Sequence, residues 1–198
     1  TYGGREHEPQ QEAIRILAET IRMVDEAKGV LLVPSFAIGR TQEVVWELDR
    51  LIERGEIPLL PLYLDSPMAS KASDIYRRYP QYYDAETREL LQSGDTPLDY
   101  PKQIVTNDVK DSQAIERAPR PYMIVASNGM LTGGRVVGHL RHLIDDPRAV
   151  ALTAAIHAGD VDALDTLLRD ALELATGRVV DARGVARTRC PSPGAGGA

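Results

Sequence analysis

Ser127, Asn128 and Gly129 stand directly after the apolar run Met123-Ile-Val-Ala126 and just ahead of Gly133 and Gly134, where a helical pattern begins. A hydroxyl, an amide and backbone N–H groups are neutral donors. A glycine-rich turn between a strand and a helix aims such donors at a ligand, often an anionic one. Two other segments repeat the arrangement: Pro34-Ser-Phe-Ala-Ile-Gly-Arg-Thr-Gln-Glu43 and Leu64-Asp-Ser-Pro-Met-Ala69. Three such junctions in a short chain predict one face crowded with loops, the face on which parallel-sheet proteins hold their ligands.

The elements that must position these loops are legible as periodicities. Ile14, Leu17, Ile21 and Val24 fall at helical spacing within about Pro9 to Ala27, and Gly29 reads as the terminator. Val30-Leu-Leu-Val33 reads as a buried strand closed by Pro34. Val44, Val45, Leu48, Leu51 and Ile52 give the apolar face of a helix over Thr41 to Arg54. Leu59 to Leu64 reads as a strand, with Pro58 and Pro61 pointing to an edge position or an irregular approach. Ser66-Pro67 is a helix start, serine as cap and proline at the first helical position, for a helix to about Tyr79. Ala85 to Gln92 and Asp111 to Arg117 read as short helices, and Ile104 to Thr106 as a weak strand. Pro121 to Ala126 reads as a strand, and Arg135 to Ile144 as a helix. The alternation predicts an α/β fold with a mainly parallel sheet flanked by helices, followed by a short helical C-terminal tail.

Composition narrows the class. The 198 residues suit one domain with an appendage, and the net charge of −6 gives no bulk attraction for nucleic acid. A lone cysteine, Cys190, excludes an intrachain disulfide and a cysteine-rich zinc cluster, and fits a reducing cytoplasm. No run has the length of a membrane span and the start carries no signal-peptide pattern, so cytoplasmic localisation is expected. Near Val150 the composition shifts. Leu152 to Leu168 reads as two helices around Gly159-Asp160, similar to one ankyrin-type repeat, a unit that needs stacked neighbours. The expected organisation is a cap region at 1–149, a helical hairpin at 150–176 offering a surface for a protein partner, and a disordered tail at 177–198 rich in glycine and proline.

Four segments together resemble the β-CASP region of metallo-β-lactamase-fold nucleases, a group of bacterial and archaeal RNases and the eukaryotic pre-mRNA 3′-end cleavage endonuclease. They are Thr1-Tyr-Gly-Gly-Arg-Glu-His-Glu8, Val33-Pro-Ser-Phe-Ala-Ile-Gly-Arg-Thr-Gln-Glu43, Tyr63-Leu-Asp-Ser-Pro-Met-Ala69 and Ala126-Ser-Asn-Gly-Met-Leu-x-Gly-Gly-Arg135. Their order and spacing cover about three quarters of the chain. The resemblance implies a cap inserted into a hydrolase domain that holds two zinc ions, with RNA in the cleft between and a metal-bridged water attacking the phosphodiester. The family's His-x-His-x-Asp-His motif does not occur in this sequence, and its acidic motif residue would precede Thr1. The resemblance fades near Val150, where the later histidine motifs are expected. The expectation is therefore a cap without its metallo-β-lactamase domain, ending in an unrelated segment through a frameshift, fusion or assembly error. It would contribute no catalytic residue, no metal ligand and no cofactor of its own.

Within that resemblance the RNA-contact candidates are Ser127, Asn128, Gly129, Arg40, Ser66 and His7. Each has a plainer alternative. Ser127 to Gly129 suit phosphate oxygens or simply a tight turn of small residues. Arg40 with Glu43 suits RNA phosphate or, as the favoured reading, an internal ion pair fixing the loop after Pro34. Ser66 suits substrate contact or helix capping. His7 lies beside the absent acidic residue or serves structure. His139 and His142, three apart, are read as an interfacial helix face with Arg141 rather than zinc ligands. Asp65 is read as the cap of the helix opening at Pro67. Tyr76 to Tyr83, with Arg77 and Arg78, suit base stacking or, as favoured, the end of an ordinary amphipathic helix. A stand-alone nucleic-acid or protein binding module is the alternative to the ribonuclease cap.

Overall fold

A computed structural model describes residues 10–92, 94, 96, 98–151, 179–180 and 186–187. Five strands form one parallel sheet: β1 (Val30–Pro34), β2 (Leu62–Asp65), β3 (Gln103–Val105), β4 (Tyr122–Ala126) and β5 (Ala149–Ala151), in the order β3-β2-β4-β1-β5. Val30 registers with Tyr122 and Leu62 with Met123, so β4 is clasped between β1 and β2.

Every residue of β1 and β4 is buried. Strands covered on both faces read as unbroken apolar runs, not as alternation, and that is how both appear in the sequence. The period of two still sorts their side chains. Leu31, Val33, Leu62, Leu64, Met123 and Val125 pack on one face against α1 (Gln10–Glu26) through Leu17 and Ile21. The same face takes α2 (Arg40–Glu53) through Val44, Val45 and Leu48, and α3 (Pro67–Arg78) through Ala69. Val30, Leu32, Tyr122, Ile124 and Ala126 pack on the other face against Ile115 and against Val136, Leu140 and Leu143 of α6 (Arg135–Leu143). Each fully buried aliphatic side chain here contributes roughly 1.5–3 kcal/mol of transfer free energy. Two shorter helices, α4 (Ala85–Gln92) and α5 (Val109–Ala114), complete the connections.

The parallel sheet with helices on both faces is the expected architecture. Its details depart from the reading in three places. β2 is interior, so its prolines do not mark an edge. They mark the irregular approach: the strand starts only at Leu62, the Pro61 carbonyl accepts from Met123 N–H at 2.9 Å, and the Leu60 carbonyl takes the Tyr100 hydroxyl at 2.8 Å. At the end of α1 the left-handed position is Lys28, φ 50°, not Gly29. Gly29 N–H instead reaches back to the Val24 carbonyl at 2.8 Å. Its lack of a side chain matters because a Cβ there would stand 1.9 Å from the Arg148 carbonyl oxygen. Third, β5 was not expected at all. It pairs with β1 and straddles the composition shift near Val150.

The helical hairpin expected at 150–176 lies, apart from its first residues in β5, outside the described residues. Within the expected tail, Val179–Val180 (β6) pairs antiparallel with Ala186–Arg187 (β7).

The topology sets the site. The chain passes from β1 through α2 to β2, leaving a gap that β4 later fills, entered by way of α5 and left by α6 on the opposite face. The loop after β4 therefore turns one way while the loops after its neighbours β1 and β2 turn the other. Such reversals open a crevice at the carboxyl ends of the strands.

Candidate functional site

The strands of the five-stranded sheet being parallel, the loops after β1, β2, β3 and β4 emerge at one edge, and the first, second and fourth touch. Ser35 N–H donates to the Ala126 carbonyl at 2.9 Å, and the Ser127 hydroxyl donates to Ser66 Oγ at 2.9 Å. Gly129 lies so close to the first loop that a Cβ would come within 3.2 Å of Phe36 N. Gly134 has φ 80° and ψ −172°, a conformation confined to glycine. It lets α6 begin directly against the turn, with Val136 N–H reaching the Ser127 carbonyl.

Of the helices that start at this edge, three open beside the touching loops: α2 after Gly39, α3 after Ser66 and α6 after Gly134. Their N-terminal ends carry partial positive charge and free N–H groups, which favour anions although the chain as a whole is acidic. Around them Phe36, Ile38, Met68 and Met130 are exposed, each by about half or more.

The candidate residues take different parts. Ser66 caps α3, its Oγ accepting from Ala69 N–H at 3.2 Å. Asn128 is engaged within its own loop: Oδ1 accepts from Met130 N–H at 2.7 Å and Nδ2 donates to Thr132 Oγ1 at 3.0 Å, which leaves one amide N–H. Arg40 forms the expected pair with Glu43, at 2.7 Å across the first turn of α2, but solvent reaches both groups and such a pair adds little to the loop. The loop after Pro34 is fixed instead by Thr41 and Gln42. The Thr41 hydroxyl donates to the Phe36 carbonyl at 2.7 Å. The buried Gln42 amide accepts from Gly39 N–H and donates to the Ala69 carbonyl and Ser73 Oγ, tying α2 to α3. His7 lies outside the described residues.

Beneath this edge Asp65 is wholly buried and collects four donors. His139 Nε2 and the Ser112 hydroxyl each lie 2.6 Å from Oδ2, while Arg135 Nη1 at 2.7 Å and the Thr106 hydroxyl reach Oδ1. Burial alone would raise the carboxyl pKa. The hydrogen bonds from His139, Ser112, Thr106 and Arg135 outweigh it and hold the group well below the usual carboxylate range. An ionised carboxylate only accepts, so the Nε2 facing it carries the proton. Asp65 is therefore not the cap of α3; its neighbour Ser66 is. Nor does His139 belong to an interfacial face: it is buried against Asp65, whereas His142 is exposed with Nδ1 3.7 Å from Glu116. The signals that would have exposed this cluster are a carboxylate closing a buried strand and an Arg–His pair at i and i+4. Among the described residues no group of three or more His, Cys, Asp or Glu is placed to hold a metal ion, and no helix is long and apolar enough to cross a membrane.

The family model for the Beta-Casp domain matches residues 41–158, more than half of the chain, and takes in α2 through β5. The protein belongs to the Beta-Casp domain family. It is 36% identical over 148 residues to Ribonuclease TTHA0252 of Thermus thermophilus, an alignment covering 75% of this chain and 34% of that protein. It is 37% identical over 152 residues to Transcription termination factor FttA of Pyrococcus abyssi, covering 75% of this chain and 23% of that protein. The same factor in Methanosarcina mazei is 33% identical over 141 residues, covering 70% and 22%. The chain thus spans about a third or less of the length of these curated relatives.

Proposed function

We propose that this chain is the RNA-facing module of a zinc-dependent metallo-β-lactamase-fold ribonuclease, and that it does not hydrolyse RNA by itself. The observation that carries this reading is the strand-end edge, where three helix N-termini, the Ser127 turn and exposed Phe36, Ile38, Met68 and Met130 share one surface. Helix dipoles and backbone N–H groups suit the phosphates of RNA. The exposed apolar side chains suit burial against a partner domain, here a metallo-β-lactamase domain. The described residues do not fit a two-zinc centre, because they bring together no ligand set; the zinc ions belong to that partner domain.

Two experiments test the reading. Full-length chain with added zinc should leave end-labelled RNA intact, and cleavage would remove the claim of inactivity. Asn128→Asp, placing a negative charge in the turn, should weaken RNA processing once the hydrolase domain is supplied. Unchanged processing would take Asn128 out of substrate contact. The second reading is a stand-alone binding module, favoured by the positive helix ends being complete within this chain. Filter binding of single-stranded RNA at low and moderate salt decides it: a salt-sensitive Kd supports it, and absence of binding ends it.

A further inference from the structure

At the far end of α3 from the strand-end edge, Ile75, Tyr76, Tyr79, Tyr82 and Tyr83 line a groove of about 330 Å³. In sequence this segment suits either base stacking or an ordinary helix end. An ordinary amphipathic end buries its apolar face. This one does not: Tyr82 is 82% exposed and Ile75, Tyr76 and Tyr79 are exposed with it. The rings of Tyr79 and Tyr82 sit 6.4 Å apart, tilted at 47°, too splayed to sandwich a planar group but each open on a face.

The groove is joined to the edge by one face of α3. Met68, Lys71, Ile75 and Arg78 follow at spacings of three, four and three residues and all are exposed. Met68 stands at the edge, Ile75 in the groove, and Lys71 and Arg78 supply cations along the way. Neither of these cations has an ion pair among the described residues. The acid beside them, Asp74, is paired with Arg77 at 3.3 Å, and Asp84 is engaged by Thr87 N–H at 2.8 Å. The helix is 12 residues long, about 18 Å, within the span of the ~4–16 nucleotides that a single-strand site covers.

We propose that this groove is a nucleobase-stacking subsite for single-stranded RNA that continues from the strand-end edge along α3, its phosphates at Lys71 and Arg78 and a base on Tyr82. The proposal rests on the RNA-facing reading of that edge. A row with exposed cations that ends at exposed aromatic rings is the composition of a single-strand track, and continuity with the edge favours RNA over a proline-rich peptide, the other ligand of tyrosine-lined grooves.

The test uses the full chain and fluorescence anisotropy at low salt with two labelled probes, a 12-nucleotide oligo(A) and an abasic 12-mer of equal charge. Tyr82→Leu should raise the Kd for oligo(A) about tenfold, as loss of one stacked base does, and Tyr82→Phe should restore it. The abasic probe should bind both variants alike. No change for oligo(A), an equal loss for both probes, or no binding of oligo(A) by the parent chain overturns the subsite. So does displacement of oligo(A) by a proline-rich peptide that itself needs Tyr82. Asn128→Asp separates the two readings: it weakens both probes if the edge binds phosphate, and its failure to do so alongside a base-selective Tyr82 effect would sink the edge alone.

Discussion

His139 Nε2 lies 2.6 Å from Asp65 Oδ2, joining α6 to the carboxyl end of β2 across 74 residues of sequence. The pair sits under the loops that form the candidate site, and Arg135 of the same helix holds the other carboxylate oxygen. Asp65 is thereby the common acceptor for β2, the ends of β3 and α5, and the start of α6.

Asp65→Asn should test how much this costs when disturbed. An amide has one acceptor oxygen and two donors, so its N–H groups face donors and the part-buried Arg135 guanidinium loses its counter-charge. Breaking one side of a buried ionic cluster costs about 3–5 kcal/mol. The urea midpoint should fall accordingly with an unchanged m value. A loss below about 1 kcal/mol would show that the cluster is not central to the fold.

The same carboxyl sets a pH dependence. Its folded pKa is depressed below the unfolded value of about 3.9. The stabilisation is therefore fully present above that value and is lost as pH falls from there toward the folded pKa. Urea midpoints measured from pH 6 down to pH 2 should decline below about pH 4, and the decline should be shallower in Asp65→Asn. Parallel curves for the two proteins would assign the acid sensitivity to other groups.

Two glycines four positions apart, one preceding α6 as its N-cap and one inside it, should respond in opposite directions to alanine. At Gly134 a Cβ would meet the Ser127 carbonyl oxygen at 2.7 Å in a backbone conformation reserved for glycine. Gly134→Ala should cost about 2–3 kcal/mol and displace the Ser127 turn. At Gly138, inside α6, a Cβ meets nothing within 4 Å. Gly138→Ala should raise stability by about 0.5–1 kcal/mol. Thermal melts of the two variants check the pair, and a shared direction would contradict the geometry at one of them.

The regular parts of this fold were legible because they are local. β1 and β4 announce themselves as unbroken apolar runs, and Ser66-Pro67 opens α3 with the hydroxyl and ring that a helix start favours. The shared edge of the three loops followed from parallel strands and right-handed crossovers. β5 was hidden because three residues, Ala149 to Ala151, carry too little pattern, and only the open side of β1 recruits them. Asp65 and His139 were misread for a related reason. Each has a respectable local role, cap or helix face, and their actual roles depend on a partner brought close only by the finished sheet. The tyrosines of α3 were visible as a cluster, but whether they were covered depended on the absence of packing above them.

The strand order has a consequence for synthesis on the ribosome. Among the described residues β1 pairs with β4 and β5, both later in the chain. Val30 to Pro34 thus leaves the exit tunnel roughly ninety residues before its first ladder partner, a wait of about 5–18 s at ~5–20 residues per second. During that interval the described elements already made, α1, α2, β2 and α3, cover this apolar strand from one face of the sheet. The edge of β1 stays without a ladder partner until Tyr122 to Ala126 arrives between β1 and β2 and closes the gap.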